Sequence, residues 1–316
     1  MTPHRREPSA GSQRPRRPRR LHPGERVAVI APAGPVPAQA LAPGTARLGA
    51  RYELAYDDGV FATQGFLAGS DERRLAELDR VLRDPTIRAI FCARGGYGTM
   101  RLLPRLDLGP LVRDPRPFVG FSDVTALHAT LLREGVVSIH GPVVTQLGKL
   151  GEEDVTALYR LLEDPTPPEP WRGLTALAAP PGRSVATGPL VGGNLELVTR
   201  LLGTPYLPPL DGAVLALEEI GEQPYRLDRS LTQLELAGVW ERVAAVVIGD
   251  LIRCAPVGNE PTPEEVLRER LGRLPIPVLA QAPFGHGSRN RAFAHGTEVR
   301  VDATAGSVTF LEGAVV

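Results

Sequence analysis

The stretch "FVGFSD" (118–123) ends an apolar run at Ser122, and a helical pattern with Leu127, Leu131 and Leu132 follows. A small hydroxyl residue at a strand-to-helix corner has two uses. It can cap the helix, or it can expose a nucleophile at the carboxyl end of a parallel sheet, where ligands bind in open α/β folds. At such a corner the helix N-terminus offers unpaired N–H groups and a positive dipole end to a developing oxyanion. The corner lacks the G-x-S-x-G pattern of the hydrolase elbow, because Val124 stands at the second glycine position. Asp123 competes for the cap, so position alone leaves both uses open.

A nucleophilic serine needs a base, and a carboxylate to orient that base. "LALEEIGEQPYRLDR" (215–229) sets Glu218, Glu219 and Glu222 just after a strand, and strand alternation turns Glu218 and Glu219 to opposite faces. Among the six histidines, His4 and His22 precede the first strand, and His128 lies on the helix after Ser122, pointing away from the corner. His140 ends the short strand of "VVSIHGP", where structural support and substrate contact are both open. His286 stands between two glycines in "APFGHGSRNRAF", a strand-end loop from which an imidazole can reach a cleft. His295, nine residues later, is the rival base. The residues therefore allow a serine, an acid and a histidine in that chain order, without saying which acid or which histidine.

"ARGGYG" (93–98) is a second candidate binding element, since paired glycines after a strand let backbone N–H groups approach a ligand. It is neither a Walker loop nor a G-x-G-x-x-G turn. Arg94, at the mouth of the sheet, could hold a carboxylate bidentately. Cys92 and Cys254 sit in apolar runs, and no C-x-x-C or H-x-x-x-H spacing occurs, so no metal and no cofactor are expected.

The elements that must position these residues are legible around them. "ERVAVIAPAGPV" (25–36) reads as a buried strand, "SDERRLAELDRVLRDP" (70–85) as a helix capped by Ser70 or Asp71, and "IRAIFCARGGYG" (87–98) as a strand entering a turn. Strands alternating with helices imply a parallel sheet covered on both faces. Residues 164–187, rich in Pro and Gly, read as an exposed connection between an N-terminal α/β domain (23–163) and a β-rich C-terminal domain (188–316). In the latter, Asn194 caps a helix, "AVLALEEI" and "VAAVVIGDL" are strands, and the end forms a hairpin around Thr304-Ala305-Gly306. Residues 1–22, dense in Arg and Pro, read as a disordered tail with no apolar signal segment.

The chain has 316 residues, 42% of them hydrophobic and 23% charged, with a formal net charge of zero. That balance gives no general reason for nucleic-acid or anionic-membrane binding. No stretch reaches membrane-spanning length, and the cysteine usage fits a reducing cytoplasm.

Taken together, "FLAGSDERRLAELDRVLRDPTIRAIFCARGGYGTMRLLPRLD" (66–107), "GFSDVTALHATL" (120–131), "HGP" (140–142), "GGNLELVTRLLGTPY" (192–206), "LEEIGEQPYRLDRSLTQLELAG" (217–238) and "GHGSRN" (285–290) resemble the LD-carboxypeptidases, serine peptidases that include the microcin C immunity peptidases. The resemblance spans roughly residues 25–313. It implies a Ser-Glu-His triad of Ser122, Glu218 and His286, with an oxyanion hole from the N–H groups of Asp123 and of Gly95 or Gly96. It implies a flavodoxin- or amidotransferase-like parallel-sheet domain joined to a swivelling β-rich α/β domain, with the triad split between them, and a homodimer. The implied activity is metal-independent release of the terminal D-alanine of a murein tetrapeptide, across an L-to-D bond, in cytoplasmic wall recycling, with Arg94 on a substrate carboxylate. The immunity branch instead hydrolyses a carboxamide joining an aminoacyl group to a modified nucleotide. It stacks that nucleotide on an aromatic ring, for which Trp171 is the candidate. A non-catalytic ligand-binding relative is the third alternative.

Overall fold

The computed structural model describes residues 14–316. The N-terminal half runs β1 (Arg26–Ile30), α1 (Ala38–Gly49), β2 (Glu53–Ala55), α2 (Asp71–Arg83), β3 (Ala89–Cys92), α3 (Gly109–Arg113), β4 (Phe118–Gly120), α4 (Thr125–Arg133), β5 (Ser138–His140), α5 (Val144–Leu147) and α6 (Glu152–Glu163). The C-terminal half runs β6 (Thr175–Ala178), β7 (Val185–Asn194), α7 (Leu195–Leu201), β8 (Val214–Ile220), α8 (Pro224–Leu236), β9 (Ala245–Ile252), α9 (Pro263–Leu271), β10 (Val278–Ala280), β11 (Phe293–His295), β12 (Glu298–Asp302) and β13 (Ser307–Phe310).

Two sheets result, one of order β11-β5-β4-β3-β1-β2 and one of order β13-β12-β7-β8-β9-β10-β6. In the first, β2, β1, β3, β4 and β5 are mutually parallel. Helices on both faces explain why β3, "AIFC", is buried at every position instead of alternating. Helix α2 shows how locally the sequence acts: Ser70 Oγ accepts the N–H of Arg73 at 3.2 Å, and Leu78, Val81 and Leu82 turn inward. A cap of this kind contributes about 1 kcal/mol.

The second sheet is mixed: β7, β8, β9 and β10 are parallel, β6 and β12 pair antiparallel to its two sides, and β13 pairs antiparallel to β12. Along β8, Val214 and Ala216 pack with Phe284 and Trp171, while Leu215 and Leu217 pack under α8 and α9. Strand β11 returns from the C-terminal half to pair antiparallel with β5, so the first sheet is completed by the other half of the chain.

Two expectations are corrected. Residues 14–22 are ordered, although the tail was expected to be disordered through residue 22. Arg16 N–H donates to Gly135 O at 2.7 Å, Arg20 N–H to Val316 O at 3.0 Å, and Leu21 is only 1% exposed. Paired main chain and one anchored leucine offset the ordering entropy here; the expectation for residues 1–13 lies outside the described residues. Likewise, 164–187 is not simply an exposed connection. Trp171 pairs with Val308, Leu174 is buried, and β6 forms the edge of the second sheet.

Candidate active site

Ser122 follows β4 with a backbone φ of 65°, a left-handed conformation that a residue with a Cβ adopts at a cost of about 1–2 kcal/mol. A capping serine has extended backbone, and its side chain accepts a helix N–H. Ser122 does neither, and a short 3-10 turn, Ser122–Val124, stands between it and α4. Its Oγ instead lies 3.1 Å from Nε2 of His286. The capping alternative is thereby removed. Asp123 does not cap either: Thr99 N–H donates to its carboxylate at 2.9 Å, and Thr99 Oγ1 donates to its carbonyl at 2.6 Å. These bonds tie the serine turn to the chain just beyond Gly95-Gly96. Burial raises the Asp123 carboxyl above its usual range.

On the far side of the imidazole, His286 Nδ1 is 2.6 Å from Glu218 Oε2. A neutral ring with its proton on Nδ1 donates to that carboxylate and keeps Nε2 free to accept from the serine hydroxyl. Glu218 is fully buried and His286 is 13% exposed at its side chain. Phe121 covers the imidazole, with ring centroids 4.5 Å apart. Ser122 comes from the first sheet, Glu218 from the end of β8 in the second, and His286 from the loop between β10 and β11. Near Ser122 the halves are pinned where Asn194 N–H donates to Thr125 Oγ1 at 3.0 Å.

Glu219 points elsewhere, as alternation requires. Asn194 Nδ2 and the N–H groups of Glu196 and Ile220 donate to it at 2.8–2.9 Å, and burial pushes its carboxyl up to about 7. It supports the start of α7. Glu222 is paired with Arg226 outside the cleft.

The other candidate histidines are placed plainly. His295 is fully buried, accepts the N–H of Gly192 at 3.0 Å and stacks on His128 at 5.7 Å. It does not approach Ser122 by hydrogen bond, so the rival-base alternative drops out. His128 lies between Gly120 O and Ser138 Oγ, at 2.7 and 2.8 Å. His140 stacks on Phe293 at 4.6 Å with both ring nitrogens unpartnered among the described residues.

A cleft of about 670 Å³ opens beside Ser122 and His286, and Arg94, Gly95 and Gly96 line it. Gly95 is packed directly on Ser122, and Gly96 has φ 110°, which suits glycine. Arg94 is exposed, with Nη1 donating to Pro35 O. Trp171 is a correction: it is only 5% exposed, stacked on Phe284 and met edge-on by Phe293 and Phe310, and it does not line this cleft. A large apolar ring next to three phenylalanines gains more from core burial than it could from an exposed loop.

Three residues that hold the histidine loop were not singled out from sequence. Asp250 Oδ2 accepts Gly287 N–H at 3.0 Å, and burial, with the Glu218 charge nearby, raises its carboxyl. Asn290 Oδ1 accepts Gly285 N–H at 3.1 Å, and its Nδ2 donates to Gln146 Oε1 at 2.7 Å. Gln146 Nε2 in turn donates to Gly285 O at 3.0 Å. Asn290 had a sequence signal, since it closes the "GHGSRN" segment. Asp250 and Gln146 had none, because each is an ordinary polar residue inside a short element with no spacing that links it to Ser122 or His286.

Comparisons with known proteins agree with this architecture. Residues 27–141 match the LD-carboxypeptidase N-terminal domain and residues 187–301 the LD-carboxypeptidase C-terminal domain. The murein tetrapeptide carboxypeptidase of Pseudomonas aeruginosa is 35% identical over 86% of this chain and 91% of its own. The crystal structure of muramoyltetrapeptide carboxypeptidase from Oxalobacter formigenes is 30% identical with a TM-score of 0.78, covering 90% of this chain and 97% of that one. The microcin C7 self-immunity protein MccF, in its wild-type apo state, has a TM-score of 0.85 at 22% identity, covering 96% and 100%, a likeness of fold. With both domain matches in chain order and relatives aligned along most of its length, the chain belongs to the LD-carboxypeptidase family.

Proposed function

We propose that this protein is a serine carboxypeptidase that hydrolyses the L-to-D bond before the terminal D-alanine of a murein tetrapeptide. The observation that carries the proposal is the hydrogen-bonded series Ser122–His286–Glu218, at 3.1 and 2.6 Å. The Ser122 oxygen attacks the scissile carbonyl while its proton passes to His286 Nε2. Glu218, accepting from Nδ1–H, holds the ring in position and stabilises the imidazolium. Backbone N–H groups of Asp123 and of Gly95 or Gly96 receive the developing oxyanion. His286 then returns the proton to the leaving amine, which departs as free D-alanine. A water, deprotonated by the same imidazole, hydrolyses the acyl-serine and restores the hydroxyl.

The substrate assignment is supported by the Pseudomonas and Oxalobacter relatives, which are named for murein or muramoyl tetrapeptides. In this role the enzyme would work in the cytoplasm on recycled wall peptides. The nucleotide alternative loses its stacking residue, because Trp171 is buried away from the cleft. The test is release of D-alanine from L-Ala-γ-D-Glu-meso-diaminopimelate-D-Ala. Wild-type protein should release it and the Ser122→Ala protein should not. A folded wild-type protein that releases none overturns the proposal.

A further inference from the structure

We propose that Lys149 and Arg253, acting with Arg94, select a peptide bearing at least two carboxylates, its C-terminal one and another on the acyl side; this rests on the peptidase role proposed above. The cleft beside Ser122 is lined by these three cations and by no aspartate or glutamate. The imbalance is local, because the whole chain carries equal numbers of basic and acidic residues, 36 of each. Elsewhere arginines are widely paired, as Arg101 is with Asp71 at 2.8 Å and Arg291 with Asp154 at 2.9 Å. Among the described residues, Arg94, Lys149 and Arg253 have no carboxylate within ion-pair distance; the only bond formed by an Arg94 nitrogen is to the Pro35 carbonyl.

The three come from separate elements. Arg94 follows β3, Lys149 stands between α5 and α6, and Arg253 follows β9 in the other half of the molecule. Three cations lining one cleft, none of them paired to a carboxylate of the protein among the described residues, carry more positive charge than one carboxylate neutralises. They match a ligand whose negative charges are separated along its length, and a cleft of one sign also concentrates such ligands. Two details set these residues apart. Lys149 is the only lysine in an arginine-rich chain. Arg253 has a left-handed backbone, φ 55°, a strained conformation of the kind that persists at ligand clamps.

The experiment measures binding, so it does not depend on turnover. Calorimetry on the Ser122→Ala protein compares the tetrapeptide with versions amidated at the C-terminal carboxylate or at an acyl-side carboxylate. Each amidation should weaken binding about 10- to 100-fold, the range for a charge-assisted contact. Adding Lys149→Gln or Arg253→Gln should weaken binding of the parent peptide similarly and abolish the penalty of one amidation. Lys149→Arg should restore most of the affinity. All three residues are exposed, so thermal midpoints should stay unchanged. If both glutamine variants keep parental affinity and both amidation penalties, the proposal is overturned. The same holds if the folded Ser122→Ala protein binds no peptide. Failure of the wild type to release D-alanine while this charge dependence persists would instead remove the reaction assigned above.

Discussion

A methyl group on Gly95 would lie 2.8 Å from the Cβ and 2.9 Å from the Oγ of Ser122. The glycine turn after β3 and the serine turn after β4 are therefore pressed together, with only hydrogen atoms to spare. Adjacent parallel strands bring the turns side by side, and Thr99 bonded to Asp123 keeps them there.

Gly95→Ala is accordingly expected to displace Ser122 from His286. Gly95 has no positive φ, so the substitution conflicts with its neighbours and not with its own backbone. D-Alanine release should fall by about 100-fold or more, as misplacing a reacting group by about 1 Å does. Steady-state kinetics beside a thermal melt checks this. Full activity would show that the serine turn can move aside.

Under the proposed mechanism, substitutions along the hydrogen-bonded series are non-additive. Ser122→Ala and His286→Ala should each cost nearly as much as the double variant. Glu218→Gln should lower kcat by about 10³–10⁴, since an amide can turn its NH₂ toward the imidazole and favour the wrong tautomer. Additive losses in the double variant would separate the roles of serine and histidine.

Asp250 is expected to be a positioning residue acting through Gly287. Asp250→Ala removes the acceptor for Gly287 N–H and should lower kcat about 10- to 100-fold with little change in KM. Asp250→Asn retains a carbonyl acceptor and should recover much of the loss. Equal loss in both variants would mean that the charge of Asp250, and not its hydrogen bond, matters.

The buried histidines give a stability prediction with a definite sign. Burial lowers His128 to about 4, from an ordinary value near 6.5. Between these values the unfolded chain binds a proton that the folded chain refuses, so stability falls as pH falls through that window. In His128→Gln this contribution is absent. Urea unfolding of both proteins at several pH values should therefore show the deficit of the variant shrinking between about pH 6.5 and pH 4. A constant deficit would mean that His128 is not held neutral. His295, lowered to about 3, predicts the same trend over a wider window.

Sequence alone determined the signals that are local along the chain. The apolar runs of β1, β3 and β8, the Ser70 and Asn194 caps and the hairpin β12–β13 follow from periodicity and turn chemistry, which neighbouring residues set. The presence of a serine, an acid and a histidine was equally legible, and family resemblance narrowed the three to Ser122, Glu218 and His286. Tertiary structure decided what depends on residues far apart. Glu218 and Glu219 are identical in type and adjacent in sequence, so residue type and spacing did not separate them, and the packing of β8 sets one against His286 and the other under α7. Trp171 looked like an exposed loop residue because the phenylalanines that enclose it lie more than a hundred positions away. Asp250 and Gln146 gained roles only when the chain folded around the His286 loop. Ser122 was ambiguous for the same reason: its left-handed turn is held against Gly95 and Thr99, and its contact with His286 depends on how the two halves pack, none of which the six residues around it reveal.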